Sequence, residues 1–139
     1  MVTGSEGLFS PRWSPDGRYL LAIPNGKAGL VMYDFRLRTW QQLTPNGGGY
    51  PDWSPDSQCV YFQSDARSTF KGLITGKQYP EARVCLNDRK VEYIADMAQA
   101  GSLAIGGGGV WTGLAPDGSI LALRETGTEE IYALDVKLP

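Results

Sequence analysis

Pro11-Arg12-Trp13-Ser14-Pro15-Asp16-Gly17 returns 40 residues later as Pro51-Asp52-Trp53-Ser54-Pro55-Asp56-Ser57. A weaker echo, Thr112-Gly113-Leu114-Ala115-Pro116-Asp117-Gly118, follows 61 residues after the second copy. In each copy Pro presets φ for a turn and Asp caps its own backbone; Gly takes the positive-φ position in the first and third, whereas the second departs from the repeat with Ser57 there. The turn is flanked by short apolar runs, so each copy reads as two strands joined by a hairpin. Self-similarity at about 40–45 residues, with four strands per unit, is the sequence signature of β-propeller blades.

Working outward from the first copy, strands are expected at Ser10 to Ser14, Arg18 to Ile23, Gly29 to Phe35 and Thr39 to Leu43. The nearly continuous apolar run Tyr19-Leu20-Leu21-Ala22-Ile23 points to a strand covered on both faces. The second copy predicts strands at Tyr50 to Ser54, Gln58 to Gln63, Ala82 to Leu86 and Lys90 to Ile94. A long connection, residues 64–81, separates its second and third strands, and long loops are where binding residues tend to sit. The third copy predicts strands at Val110 to Ala115, Ser119 to Arg124 and Glu129 to Val136, with one helical turn at Asp96 to Ala100. The fold expected is therefore all-β: three four-stranded antiparallel blades of a β-propeller, about residues 8–45, 50–95 and 110–138, the last incomplete. Closed propellers need about four to eight blades, so the chain is expected to be a C-terminal part of a larger ring.

Composition limits the function. The chain has 139 residues, 42% hydrophobic, with 18 Gly and 9 Pro, which suits many short strands and tight turns. Its net charge is −2 with no long basic run, so the electrostatic footprint of direct nucleic-acid binding is missing. No run of 18 apolar residues spans a membrane, and Met1 to Glu6 lacks the pattern of a signal peptide. Histidine is absent. That removes the commonest general base and metal ligand, and no Gly-x-Ser-x-Gly nucleophile motif occurs. No catalytic residue, metal or cofactor is expected. Cys59 and Cys85 fall in neighbouring strands of the second blade; two buried free thiols are expected, with a cross-strand disulfide as the alternative.

Asp16, Asp56 and Asp117, with Gly17 and Gly118, read as turn residues rather than as an acid–base or calcium set. Trp13 and Trp53 end the innermost strands and read as inter-blade packing, with an aromatic wall for a peptide or glycan as the alternative. Ser10, Tyr50 and Trp111 lie three residues before Trp13, Trp53 and Leu114, near the channel mouth. Arg12 and Asp52 alternate with the Trp residues and so face the other way. These five are the candidate binding residues. The Gly106 to Gly109 run lacks a Gly-Lys-Ser/Thr ending and reads as an inter-blade crossing.

The Trp-Ser-Pro-Asp-Gly core, the apolar strand after it and the closing Tyr33-Asp34 or Leu134-Asp135 resemble the TolB-like propeller repeat, a relative of the WD-type blade. Residues 4–17 and 123–135 resemble late blades of multidomain bacterial regulators. There the propeller follows a winged-helix or kinase domain and is held to be a sensor or interaction module. The resemblance implies a non-catalytic segment of a larger protein, with a protein or peptide partner or the remaining blades as its contacts. Periplasmic or cytoplasmic location then depends on the preceding domains. Two alternatives stand beside it: the gating propeller of a prolyl-oligopeptidase-type hydrolase, and a half-propeller whose homodimer closes a six-bladed ring.

Overall fold

A computed structural model describes residues 2–64, 80–97, 105–106, 109–124 and 127. The first sheet has the order β1-β2-β3-β4, built from Leu8–Trp13, Tyr19–Pro24, Leu30–Asp34 and Thr39–Thr44. The second repeats it as β5-β6-β7-β8, from Gly49–Trp53, Cys59–Gln63, Pro80–Cys85 and Val91–Asp96. Every pairing within them is antiparallel. Strands β11 (Thr112–Leu114) and β12 (Ile120–Ala122) form a two-stranded ladder in the third repeat. Strands β9 (Ile105–Gly106) and β10 (Gly109–Val110) pair as a small antiparallel ladder, and residues 107–108 of the expected crossing lie outside the described residues.

Three four-stranded blades are thus corrected to two complete four-stranded sheets and two smaller ones among the described residues, with no closed ring. The expected last strand at Glu129 to Val136, the 64–81 connection apart from its ends, and most of the Asp96 to Ala100 turn lie outside the described residues.

The repeated turn explains the repeated strands. Gly17 donates its N–H to Ser14 O at 2.8 Å, and Asp16 Oδ1 accepts from Arg18 N and from the Ser14 hydroxyl at 3.0 and 2.6 Å. Ser57 N, Gln58 N and the Ser54 hydroxyl repeat these bonds around Ser54 O and Asp56 at 2.9, 3.0 and 2.6 Å. Gly118 N to Ala115 O and Ser119 N to Asp117 Oδ1 repeat the backbone half of the pattern. These bonds, from the serine hydroxyl first and then the backbone N–H, hold the Asp16 and Asp56 carboxyls below the usual carboxylate range.

The core lies between the two complete sheets. Leu21, Leu30, Met32 and Leu43 of the first meet Trp53, Val60, Phe62, Ala82 and Val84 of the second. Polar ties fix the seam. Trp53 Nε1 donates to Arg12 O at 3.1 Å, and its ring stacks on Tyr19 at 5.8 Å. Asp16 N donates to the Ser57 hydroxyl at 3.0 Å. Ser57 stands at φ 62°, where the first repeat has Gly17 at φ 72°. The left-handed backbone costs a serine about 1–2 kcal/mol, and the buried hydroxyl offsets it by receiving the neighbouring sheet's N–H.

Cys59 and Cys85 are disulfide-bonded, which corrects the expectation of free thiols. They stand directly opposite in the β6–β7 register, so their side chains leave the same face of the sheet side by side.

Candidate functional site

The inner ends of the two complete sheets frame a cleft of about 430 Å³, within the size range of small-ligand sites. One wall is Phe9, Ser10 and Arg12 of β1 with Ile23 and Pro24 of β2. The Asn25–Lys27 turn makes the rim, and the Gly47–Tyr50 crossing closes the other side.

Backbone bonds hold this frame. Asn25 N donates to Gly7 O at 2.7 Å, Gly29 N to Gly47 O at 2.9 Å, and Gly48 N to Gln63 O at 3.1 Å. The crossing passes so close to the β3 entry that only glycine fits there. A Cβ on Gly29 would lie 2.0 Å from Thr44 O, and one on Gly48 would lie 3.0 Å from Gly29 O. Both glycines also have positive φ, at +92° and +125°.

Ser10 and Tyr50 occupy equivalent places in this frame. Each has positive φ, 54° and 45°, and each sits where its inner strand slips register, between Phe9 and Arg12 and between Gly49 and Asp52. A bulge of this kind re-aims the side chains around it. Ser10, Arg12 and Tyr50 are therefore brought together in one cleft.

The other two candidates lie elsewhere. Asp52 Oδ2 accepts from Leu114 N at 3.2 Å and its Oδ1 from Trp53 N at 2.9 Å, so it ties the second sheet to β11. The Trp111 ring is 44% exposed and lies over Gly113, where an added Cβ would meet it at 3.1 Å. Phe9, Asn25 and Lys27 line the cleft without having been singled out by sequence. Their signal was faint: Phe9 adjoins Ser10, and Lys27 follows the Asn25-Gly26 turn.

Trp13 and Trp53 are equivalent by repeat and opposite in environment. Trp53 is 4% exposed inside the seam, whereas Trp13 is 58% exposed. Trp13, Leu20, Tyr33 and Trp40 form one cross-strand row on the face of the first sheet turned away from the second. Trp13 stacks on Phe35 at 4.8 Å, and Phe35 meets Tyr33 edge-on at 4.9 Å. The N-terminal turn covers part of this face, with Trp40 Nε1 donating to Thr3 O at 3.0 Å. The end at Trp13 stays open.

A different chemistry occupies the seam facing the third repeat. Gln63 and Glu81, each 2% exposed, stand opposite one another, and Gln63 Nε2 donates to Thr112 Oγ1 at 3.3 Å. Burial pushes the Glu81 carboxyl up to about 7, with Thr112 opposing the shift. Among the described residues no group of three or more acidic or cysteine side chains could hold a metal ion, and no helix is long and apolar enough to cross a membrane.

No family profile matches the chain. The Tol-Pal system protein TolB of Alcanivorax borkumensis is 33% identical over 63 residues, 42% of this chain and 14% of that protein. Among solved structures, TolB from Acinetobacter baumannii superposes with a TM-score of 0.53 at 16% identity, over 87% of this chain and 39% of that one. A putative TolB from Agrobacterium tumefaciens gives 0.52 at 24% identity, over 87% and 41%. An oligogalacturonate lyase from Vibrio parahaemolyticus gives 0.53 at 14% identity, over 68% and 30%. The chain thus spans less than half the length of each of these relatives. Its repeated turn, its consecutive antiparallel sheets and these likenesses together show an all-β chain that resembles the TolB-like β-propeller family.

Proposed function

We propose that the chain is a non-catalytic propeller segment of a larger bacterial protein, working as a sensing or interaction module with the inner-strand cleft as its recognition site. One observation carries this reading: two bulges at equivalent repeat positions bring Ser10, Arg12 and Tyr50 into a single cleft on a backbone frame. The absence of histidine from the sequence supports recognition over hydrolysis. The fold alone does not decide, since a lyase shares it.

The test is a fragment screen on the full chain by ligand-observed and ¹⁵N-resolved NMR. Hits should move the amides of Ser10, Arg12 and Gly48–Tyr50 and be released unchanged. Hits that map away from the cleft, or turnover that survives repurification, would sink the reading.

A second reading, a half-propeller that associates with itself, is favoured by the open Trp13 row, because the matching row of the second sheet is covered by a neighbouring sheet. Light scattering on the purified chain should then give a dimer that Trp13→Glu converts to monomer. A monomer mass at all concentrations removes it.

A further inference from the structure

The repeat relation itself exposes the chemistry of the cleft. Asp52 spends both carboxylate oxygens on backbone N–H groups, one of them from the next sheet. The equivalent residue in the first sheet is Arg12, which has donors only and cannot make that tie. Among the described residues its guanidinium donates one hydrogen bond, to Pro11 O at 3.4 Å, and the residue lines the cleft instead. Lys27 lines the same cleft, and no acidic residue does so among the described residues. Among the described residues neither cation has a carboxylate within salt-bridge distance. The pairing is not a by-product of composition, because the chain carries 15 acidic residues against 13 basic ones.

Apolar surface lies beside the charge. Phe9 is 51% exposed, and Ile23 and Pro24 continue its wall. Tyr50 and Asn25 add polar edges on the other side. We infer that this cleft binds a small organic anion, a carboxylate joined to a flat apolar body. The carboxylate meets Arg12 and Lys27, and the body lies against Phe9, Ile23 and Pro24. A planar guanidinium suits a carboxylate through paired N–H donors. This assignment rests on the cleft being the recognition site and adds the class of ligand it recognises.

The test titrates the full chain with phenylacetate and with its neutral isostere phenylacetamide, followed by ¹⁵N-resolved NMR. Phenylacetate should move the amides of Ser10, Asn25–Lys27 and Tyr50 and saturate, and phenylacetamide should bind about tenfold more weakly. Arg12→Gln and Lys27→Gln should each weaken phenylacetate binding and reduce its salt dependence, with phenylacetamide binding and the rest of the spectrum unchanged. Equal binding of the two probes, or no loss in either variant, overturns the anion assignment and leaves the cleft standing as a neutral site. If neither these probes nor any fragment moves the cleft amides, the anion assignment and the recognition reading fall together.

Discussion

Truncating the two repeat tryptophans should have unequal consequences, and the structure sets the size of the difference. Trp53→Ala empties a place in the seam between the sheets, where the ring is 4% exposed, stacks on Tyr19 and satisfies Arg12 O. Buried aromatic-to-alanine changes cost about 3–5 kcal/mol, and the lost bond to a carbonyl adds about 1 kcal/mol. Trp13→Ala removes a ring that is 58% exposed and stacks on Phe35. An aromatic pair of that kind is worth about 1 kcal/mol. Urea unfolding followed by far-UV circular dichroism, which does not depend on indole fluorescence, should give midpoints separated by an amount corresponding to about 3 kcal/mol at a common slope. Equal losses would refute the argument. They would mean that Trp13 is covered in solution, and concentration dependence of its midpoint would then identify a second copy as the cover.

Three further outcomes follow from named contacts. Reducing the Cys59–Cys85 bond, which spans 26 residues, should lower stability by about 3.5 kcal/mol on the chain-entropy relation; an unchanged urea midpoint with dithiothreitol would contradict it. Glu81 is raised from 4.5 to about 7, so the folded state holds its proton more tightly than the unfolded state. Its contribution is therefore full below about pH 4.5 and is lost as pH rises through about 7, by up to about 3 kcal/mol. No histidine titrates in that window, so thermal midpoints should fall across it, and in Glu81→Gln they should stay flat. Gly29→Ala, with its Cβ 2.0 Å from Thr44 O, should cost more than about 3 kcal/mol, whereas Gly17→Ala, at φ +72° with open space around it, should cost about 1 kcal/mol. Similar losses at the two sites, read by urea unfolding, would dismiss the close-approach argument.

The sequence made the sheets legible because the turn chemistry is local. Ser14 and Asp16, repeated at Ser54 and Asp56, make the same bonds at the same spacing, and no distant contact is needed to form them. The candidate site was legible only in part, for a physical reason. Arg12 and Asp52 are equivalent in sequence, but one lines the cleft and the other caps a neighbouring strand. That difference is set by the sheet that follows each, which local pattern does not contain. The positive φ of Ser10 and Tyr50 was hidden similarly, since neither residue advertises it as glycine would. The disulfide needed the β6–β7 register, which opposes Cys59 and Cys85, and a one-residue slip would have turned them to opposite faces. Ser57 read as a departure from the repeat until its hydroxyl was seen to receive Asp16 N.

The two seams of the chain select their partners by different means. Ala22 opposite Val31 in the first sheet corresponds to Phe62 opposite Ala82 in the second. One step further along, Ile23 and Leu30 of the first sheet correspond to Gln63 and Glu81 of the second. At these positions the first seam is therefore closed by apolar area, which tolerates hydrophobic neighbours of similar volume, with its polar ties confined to Trp53 and the repeated turns. The second is closed by the buried Gln63, which meets Thr112, and by the half-buried Asp52, which meets the Leu114 N–H of the third repeat. A neighbour lacking a hydroxyl at the Thr112 position would lose the Gln63 bond and leave the Glu81 carboxyl still more dependent on its proton. Losing such a buried bond costs about 1–3 kcal/mol, which disfavours the wrong sheet by about fivefold to a hundredfold. The Gln63–Glu81 pair thus acts as a chemical specification of which sheet comes next, whereas Ile23 and Leu30 at the equivalent places of the first sheet impose only an apolar shape.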